Sequence, residues 1–270
     1  YAHAWGGNKD LVYKLSTKKG KKFNIHLTEK VGNNTWYRGS LDGKTVWIHS
    51  SYLNTVKQTG ATKKVTSGST SYNMTLNQFV NMQMKVNPQT DKGGKGWRTA
   101  TKSEVLYYLN PANFLGSLKD KLQFADLSQS SNVSASEVNQ KILAGNGVLA
   151  GKASSFINAS KTYGVNEIYL ISHAKLETGN GTSTLATGVK YNGKTVYNVY
   201  GIGAVDSNPI NGGAKFAYDQ GWTTVDKAIV GGAKFVGQNY VNAGQSTLYQ
   251  MRWNPAAAAN YGYASHQYAT

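Results

Sequence analysis

Two carboxylates frame the stretch of this chain best suited to acid–base chemistry. Glu177 closes an apolar helical run that begins at Glu167, and it stands directly before Thr178-Gly179-Asn180-Gly181. The next acid is Asp206, 29 residues on, in a chain with only 13 Asp and Glu. A carboxylate at a helix C-terminus meets the negative end of the helix dipole, and partial burial acts in the same direction. Both effects predict a raised pKa, which suits a general acid near neutral pH. Spacing alone equally describes an inert Glu at an exposed helix end. Asp206 has two readings as well. It faces Glu177 across a cleft as the second carboxylate of a glycosidase pair, or it serves the turn Asp206-Ser207-Asn208-Pro209.

Other chemistries find less support. Without Cys there is no disulfide, thiol nucleophile or Cys-ligated zinc. The five His are scattered with no His-x-x-x-His pair, so neither a metal nor a cofactor is expected. Gly201-Ile202-Gly203 lacks the third glycine of a nucleotide-binding turn, and no Ser/His/Asp motif is visible. Aromatic rings are the usual platforms for sugars. Of 18 Tyr and 6 Trp, Tyr200 and Tyr268 stand out by context, while Trp253 reads equally as core.

The elements that position these residues form two patterns. Residues 8–56 read as short strands, at 11–13, 22–27, 35–38 and 45–49, with turns at Asn33-Asn34 and Asp42-Gly43. Such strands predict a small all-β barrel. Residues 58–72 are a Gly/Ser/Thr/Lys linker without apolar period. Beyond it the pattern is helical. Helices are predicted at 75–84, 103–109, after the Ser134-x-x-Glu137 cap, at 153–163 before Gly164, at 167–177, and at 225–240 behind a Thr223-x-x-Asp226 cap. Asn192-Gly193 centres a hairpin over 189–197, a β wing directly after Glu177.

The net charge is +16, with 26 Lys against only Arg38, Arg98 and Arg252. Residues 1–72 carry +9 of it, from 12 basic and 3 acidic residues. Base readout in nucleic acid relies on the Arg fork, so a Lys-rich surface better suits an anionic wall polymer than a specific nucleic acid. Apolar runs are too short for a membrane span. Tyr1 is neither an initiator Met nor part of a signal peptide, and the chain reads as a mature or trimmed piece.

Several stretches resemble the glucosaminidase domains of staphylococcal bifunctional autolysins, in glycoside hydrolase family 73. They are 166–174, Leu176-Glu177-Thr178-Gly179-Asn180-Gly181-Thr182-Ser183, Asn198-Val199-Tyr200-Gly201-Ile202, 227–235, 251–255 and His266-Gln267-Tyr268-Ala269-Thr270. The resemblance implies an α+β protein with a lysozyme-like, mainly helical catalytic domain over 73–270. It implies an endo-β-N-acetylglucosaminidase acting on peptidoglycan glycan strands, secreted, wall-associated and monomeric. Glu177 aligns with the catalytic acid and Asp206 with a second acid. Asn180, Asn198, Tyr200 and Tyr268 fall at substrate-binding positions. A muramidase or lytic transglycosylase on the same fold, or a non-catalytic wall-binding protein, is the alternative. Residues 1–57 resemble a GW repeat, an SH3b-like module, with Val46 where the eponymous Gly would stand. Their charge fits lipoteichoic acid or a similar polymer. Relatives continue past Tyr-Ala-Thr into a terminal helix, where this chain ends at Thr270.

Overall fold

Asp-Gly and Asn-Gly tolerate positive φ at both turn positions, and both predicted hairpins use this. Asp42 and Gly43 have φ of 48° and 77°, and Asn192 and Gly193 have 46° and 77°. The protein is seen in a computed structural model that describes residues 1–2, 7–53, 68–205 and 207–268, without the side chains of Asn24, His26 and Leu27. It divides into two units, Tyr1–Ser69 and Thr70–Thr270. The expected linker at 58–72 lies largely outside the described residues.

In the first unit, β1 (Asn24–Val31), β2 (Asn34–Leu41) and β3 (Lys44–His49) form an antiparallel meander. Leu41, Val46 and Ile48 point to one face and are buried there. Val46 therefore fills core space that a Gly would leave open. The strand expected at 11–13 is not formed. That segment runs between two short 3₁₀ turns, and its Val12 and Tyr13 pack onto the sheet instead. Tyr1 takes the edge of β3: its amine donates to the Trp47 carbonyl at 2.9 Å, and Trp47 N–H donates back at 2.8 Å.

The second unit is mainly helical. α1 (Leu76–Met84) starts with a reciprocal Thr75/Gln78 capping box. A two-residue ladder of β4 (Gln89–Thr90) and β5 (Arg98–Thr99) crosses the Gly/Lys-rich loop. α2 (Lys102–Leu109) has a Thr101/Glu104 box and ends at Asn110-Pro111. Arg98 pairs with Glu104 at 2.6 Å and, with the Thr101 amide, holds that carboxyl down at about 2. There follow α3 (Leu118–Lys121), α4 (Ala135–Lys141), α5 (Ala153–Tyr163), α6 (Glu167–Glu177) and α7 (Thr184–Thr187). β6 (Val189–Tyr191) and β7 (Lys194–Val196) make the wing, before α8 (Pro209–Asp219), α9 (Val225–Asn239), α10 (Leu248–Trp253) and α11 (Pro255–Tyr261).

Gly164 ends α5 in the left-handed region, as its sequence position demands. The α9 cap is Thr224, one residue later than expected, because its hydroxyl rather than that of Thr223 reaches the Lys227 N–H. α8 is not among the helices expected from the sequence, which marks only the turn leading into it at Asp206-Ser207-Asn208-Pro209. Asn208 caps it and Pro209 takes its first position, while Gly212 and Gly213 mask its helical signal.

α5 packs against α6 and α9, burying Phe156, Leu170, Ile171 and Ile229 completely. Each such side chain contributes roughly 1.5–3 kcal/mol. A second cluster joins α1 and α2 to the C-terminal helices through Phe79, Val80, Leu109 and Trp253. Buried Gln83 ties the same parts together, donating to the Trp253 carbonyl at 3.2 Å.

Candidate active site

α6 is fixed at both ends. Asn166 accepts from Ile168 and Tyr169 N–H at 2.9 and 3.0 Å, and its amide reaches back to the Gln129 carbonyl at 2.6 Å. Glu167, in the first turn, is buried yet satisfied by Ser130, Ser160 and the Val133 amide. At the other end Thr178 Oγ1 donates to the Ala174 carbonyl at 2.5 Å and accepts from Gly181 N–H at 2.7 Å. Asn180 N–H closes onto the Lys175 carbonyl at 2.8 Å. These bonds occupy the free carbonyls of the helix end.

Glu177 projects from that end with its side chain about one-third exposed (34 %). Its Oε1 accepts from the Tyr268 hydroxyl at 3.3 Å and lies 3.7 Å from His173 Nε2. Its Oε2 lies against Gly201, where a Cβ would stand only 3.1 Å away. Gly201 has a φ of 64°, so a side chain there would be both strained and in the way. His173 is one turn earlier on α6 and buried, ringed by Tyr169, Tyr200 and Tyr268 at centroid distances of 5.6, 5.2 and 5.4 Å. The nearby His173 ring, 3.7 Å away, and the Tyr268 hydroxyl hold the Glu177 carboxyl below the usual range, against burial, which pushes it up. The raised pKa expected from the helix dipole is therefore corrected. The dipole's carbonyls are already capped, and close donors outweigh what remains.

The glucosaminidase family (mannosyl-glycoprotein endo-beta-N-acetylglucosaminidase) matches residues 153–270, which include Glu177, Gly201, His173 and the tyrosines around it. The crystal structure of a major bifunctional autolysin is 47 % identical, covers 73 % of this chain and 81 % of its own, and superposes with a TM-score of 0.58. The chain belongs to the glucosaminidase family. The beta-N-acetylglucosaminidase of Bacillus subtilis is 40 % identical over 94 % of this chain, and the bifunctional autolysin of Staphylococcus epidermidis 43 % over 96 %. The chain spans only 34 % and 19 % of those two relatives' lengths. A catalytic glutamate-to-alanine mutant of S. aureus autolysin E, crystallised with the disaccharide NAG-NAM, is 37 % identical over 74 % of this chain and 85 % of its own, with a TM-score of 0.60.

Within this family member, the residues marked from sequence are placed differently. Glu177 and Tyr268 come together. Asn180 sits on the following turn, exposed, with a left-handed φ of 62°. Asn198 and Tyr200, expected as sugar contacts, are both buried beneath the site. Asn198 is buried and its amide is used internally, donating to the Ile202 and Gly213 carbonyls and accepting from Tyr200 N–H. Tyr200 is 3 % exposed, with its ring edge-on to His173 and its hydroxyl without a partner among the described residues. Both hold the loop that passes under Glu177. Asp206 lies outside the described residues.

Sequence reasoning missed the support for Tyr268. Tyr268 N–H donates to the Met251 carbonyl at 2.8 Å. The buried amides of Gln245 and Asn254 both donate to the His266 carbonyl, at 3.0 and 3.3 Å. Tyr240 stacks on His266 at 4.8 Å and meets Tyr268 edge-on at 5.7 Å. The available signal was the cluster of amides, Gln245, Gln250 and Asn254, next to a short apolar helix. Among the described residues no group of three His, Cys, Asp or Glu could hold a metal, and no helix is long and apolar enough to cross a membrane.

Proposed function

We propose that this chain is a peptidoglycan hydrolase, an endo-β-N-acetylglucosaminidase that cuts the β-1,4 bond after N-acetylglucosamine. Glu177 protonates the departing glycosidic oxygen. The observation that carries this is a carboxylate about one-third exposed at the end of a capped helix, hydrogen-bonded to Tyr268, in a chain of the glucosaminidase family. In the free protein this carboxylate is ionised at neutral pH, because its pKa lies below the usual range. A sugar entering the site displaces water from a group that burial already pushes upward, and so favours the protonated acid.

The second step takes one of two routes: water activated by Asp206, or attack by the substrate's own N-acetyl oxygen. The anomer of the first-formed product separates them, since net inversion excludes the N-acetyl route. The N-terminal unit is read as an SH3b-like wall module for lipoteichoic acid or a similar anionic polymer, in a secreted, monomeric, wall-associated enzyme. Its charge of +9 over residues 1–72 supports this, as does the row of rings Tyr1, Trp36, His49 and Tyr52 beside β3.

The test is Glu177→Gln on purified peptidoglycan. Loss of a general acid lowers the rate by about 10²–10⁴-fold. Near-normal hydrolysis by this variant would sink the assignment and leave a wall-binding protein.

A further inference from the structure

Counting donors fixes the protons around Glu177. Tyr268 has one hydroxyl proton and two close polar neighbours, Glu177 Oε1 at 3.3 Å and His173 Nε2 at 2.6 Å. A carboxylate oxygen only accepts, so the phenol proton goes to Oε1. The short contact with His173 is then filled by an Nε2–H donating to the phenol oxygen. In the neutral ring this leaves Nδ1 as an acceptor, and Tyr169 Oη stands 3.4 Å from it. The opposite order, with Tyr268 donating to Nε2, would set phenol lone pairs against a carboxylate. Close packing by three tyrosine rings holds the imidazole in this orientation.

From this we infer that His173 is a positioning residue: by carrying its proton on Nε2 it makes Tyr268 a donor to Oε1 and so assigns the acid proton of Glu177 to Oε2, the oxygen beside Gly201. The inference rests on the reading of Glu177 as general acid. In the step itself Oε2–H gives its proton to the glycosidic oxygen as the bond from that oxygen to the anomeric carbon breaks. Glu177 is left as a carboxylate. The Tyr268 bond to Oε1 becomes charge-assisted at that moment, so it stabilises the state in which the proton has left. The groups facing His173 are Tyr169 and Glu177 from α6, Tyr200 from the loop after β7, and Tyr268 from the C-terminal segment. Tyr240 and His266 form the next layer beyond Tyr268.

Two measurements on the full chain test it. In wild-type protein, ¹⁵N–¹H correlation of the His173 ring should show a proton on Nε2. A ring protonated only on Nδ1 overturns the inference, whatever the variants do. In kinetics on peptidoglycan, His173→Gln keeps an N–H near the Nε2 position, while His173→Leu removes it. The Leu variant should lose about ten- to a hundredfold in kcat with KM little changed, and the Gln variant should recover most of that loss. Removing the donor disfavours the ionised carboxylate, so the basic limb of kcat/KM should also move to higher pH in the Leu variant. Equal losses in both variants, or an unmoved basic limb, contradict the inference. If Glu177→Gln is inactive in the same assay, such a failure belongs to His173 alone. If Glu177→Gln is active, the general-acid reading fails too.

Discussion

The negative end of α6 disfavours a carboxylate by roughly 0.3–1 kcal/mol, whereas a hydrogen bond to a charged group contributes about 1.5–3 kcal/mol. At Glu177 the second effect wins, and its pKa falls. The sign has a consequence for stability. A carboxyl that ionises more readily folded than unfolded stabilises the protein above its unfolded value, 4.5. That stabilisation is lost as pH falls through the folded value. Urea unfolding of wild type and Glu177→Gln should therefore show the gap moving in favour of wild type as pH rises to about 4.5; a gap independent of pH contradicts the shift. Tyr200 makes a second test. Its buried hydroxyl has no partner among the described residues, so Tyr200→Phe should leave stability unchanged or raise it by up to about 1 kcal/mol, with KM unchanged. A severalfold rise in KM would restore Tyr200 as a sugar contact. The place of Glu177 was legible in the sequence, because an apolar helical period ends there at a Gly-rich break. Its electrostatics were not, because Tyr268 arrives from 91 residues away and His173 has no local signature.

At the scale of elements, local signals were read well and close approaches were not. α5, α6 and the β6–β7 wing follow from caps, period and an Asn-Gly turn, all contained in a few residues. α8 was missed because paired glycines lower helix propensity, and their purpose is tertiary. A Cβ at Gly212 would stand 2.5 Å from the Gly203 carbonyl, and one at Gly213 would stand 2.6 Å from Leu185. The same holds in α9, where a Cβ at Gly232 would fall 2.0 Å from the Tyr200 ring. Gly→Ala in an open helix gains roughly 0.5–1 kcal/mol. Here overpacking reverses the sign, so Gly232→Ala should destabilise by about 1–3 kcal/mol. Because the displaced ring is the one packed against His173, kcat should fall as well. Calorimetry and peptidoglycan kinetics on that variant check both effects, and a more stable, fully active protein would contradict the packing described.

At the scale of the whole molecule, charge rather than fold was the plainest feature of the sequence. A net +16 made mostly of Lys predicts wall attachment that weakens with salt, since the screening length shrinks from about 10 Å at 0.1 M to about 3 Å at 1 M. Sedimentation of the full chain with purified walls should fall steeply over that range; attachment indifferent to salt would point to the ring-lined face of the first unit instead. The division into a β unit and a helical unit was visible as a change of period around a polar stretch. The way residues 11–13 join the first sheet was not, because Val12 and Tyr13 pack on its core from between two 3₁₀ turns. The central claim concerns which bond is cut, and the reducing ends of released muropeptides report it directly. Mass spectrometry after borohydride reduction should find N-acetylglucosaminitol at the ends released by wild type and no release by Glu177→Gln. Muramitol or anhydromuramic ends, or identical products from the variant, would contradict the account.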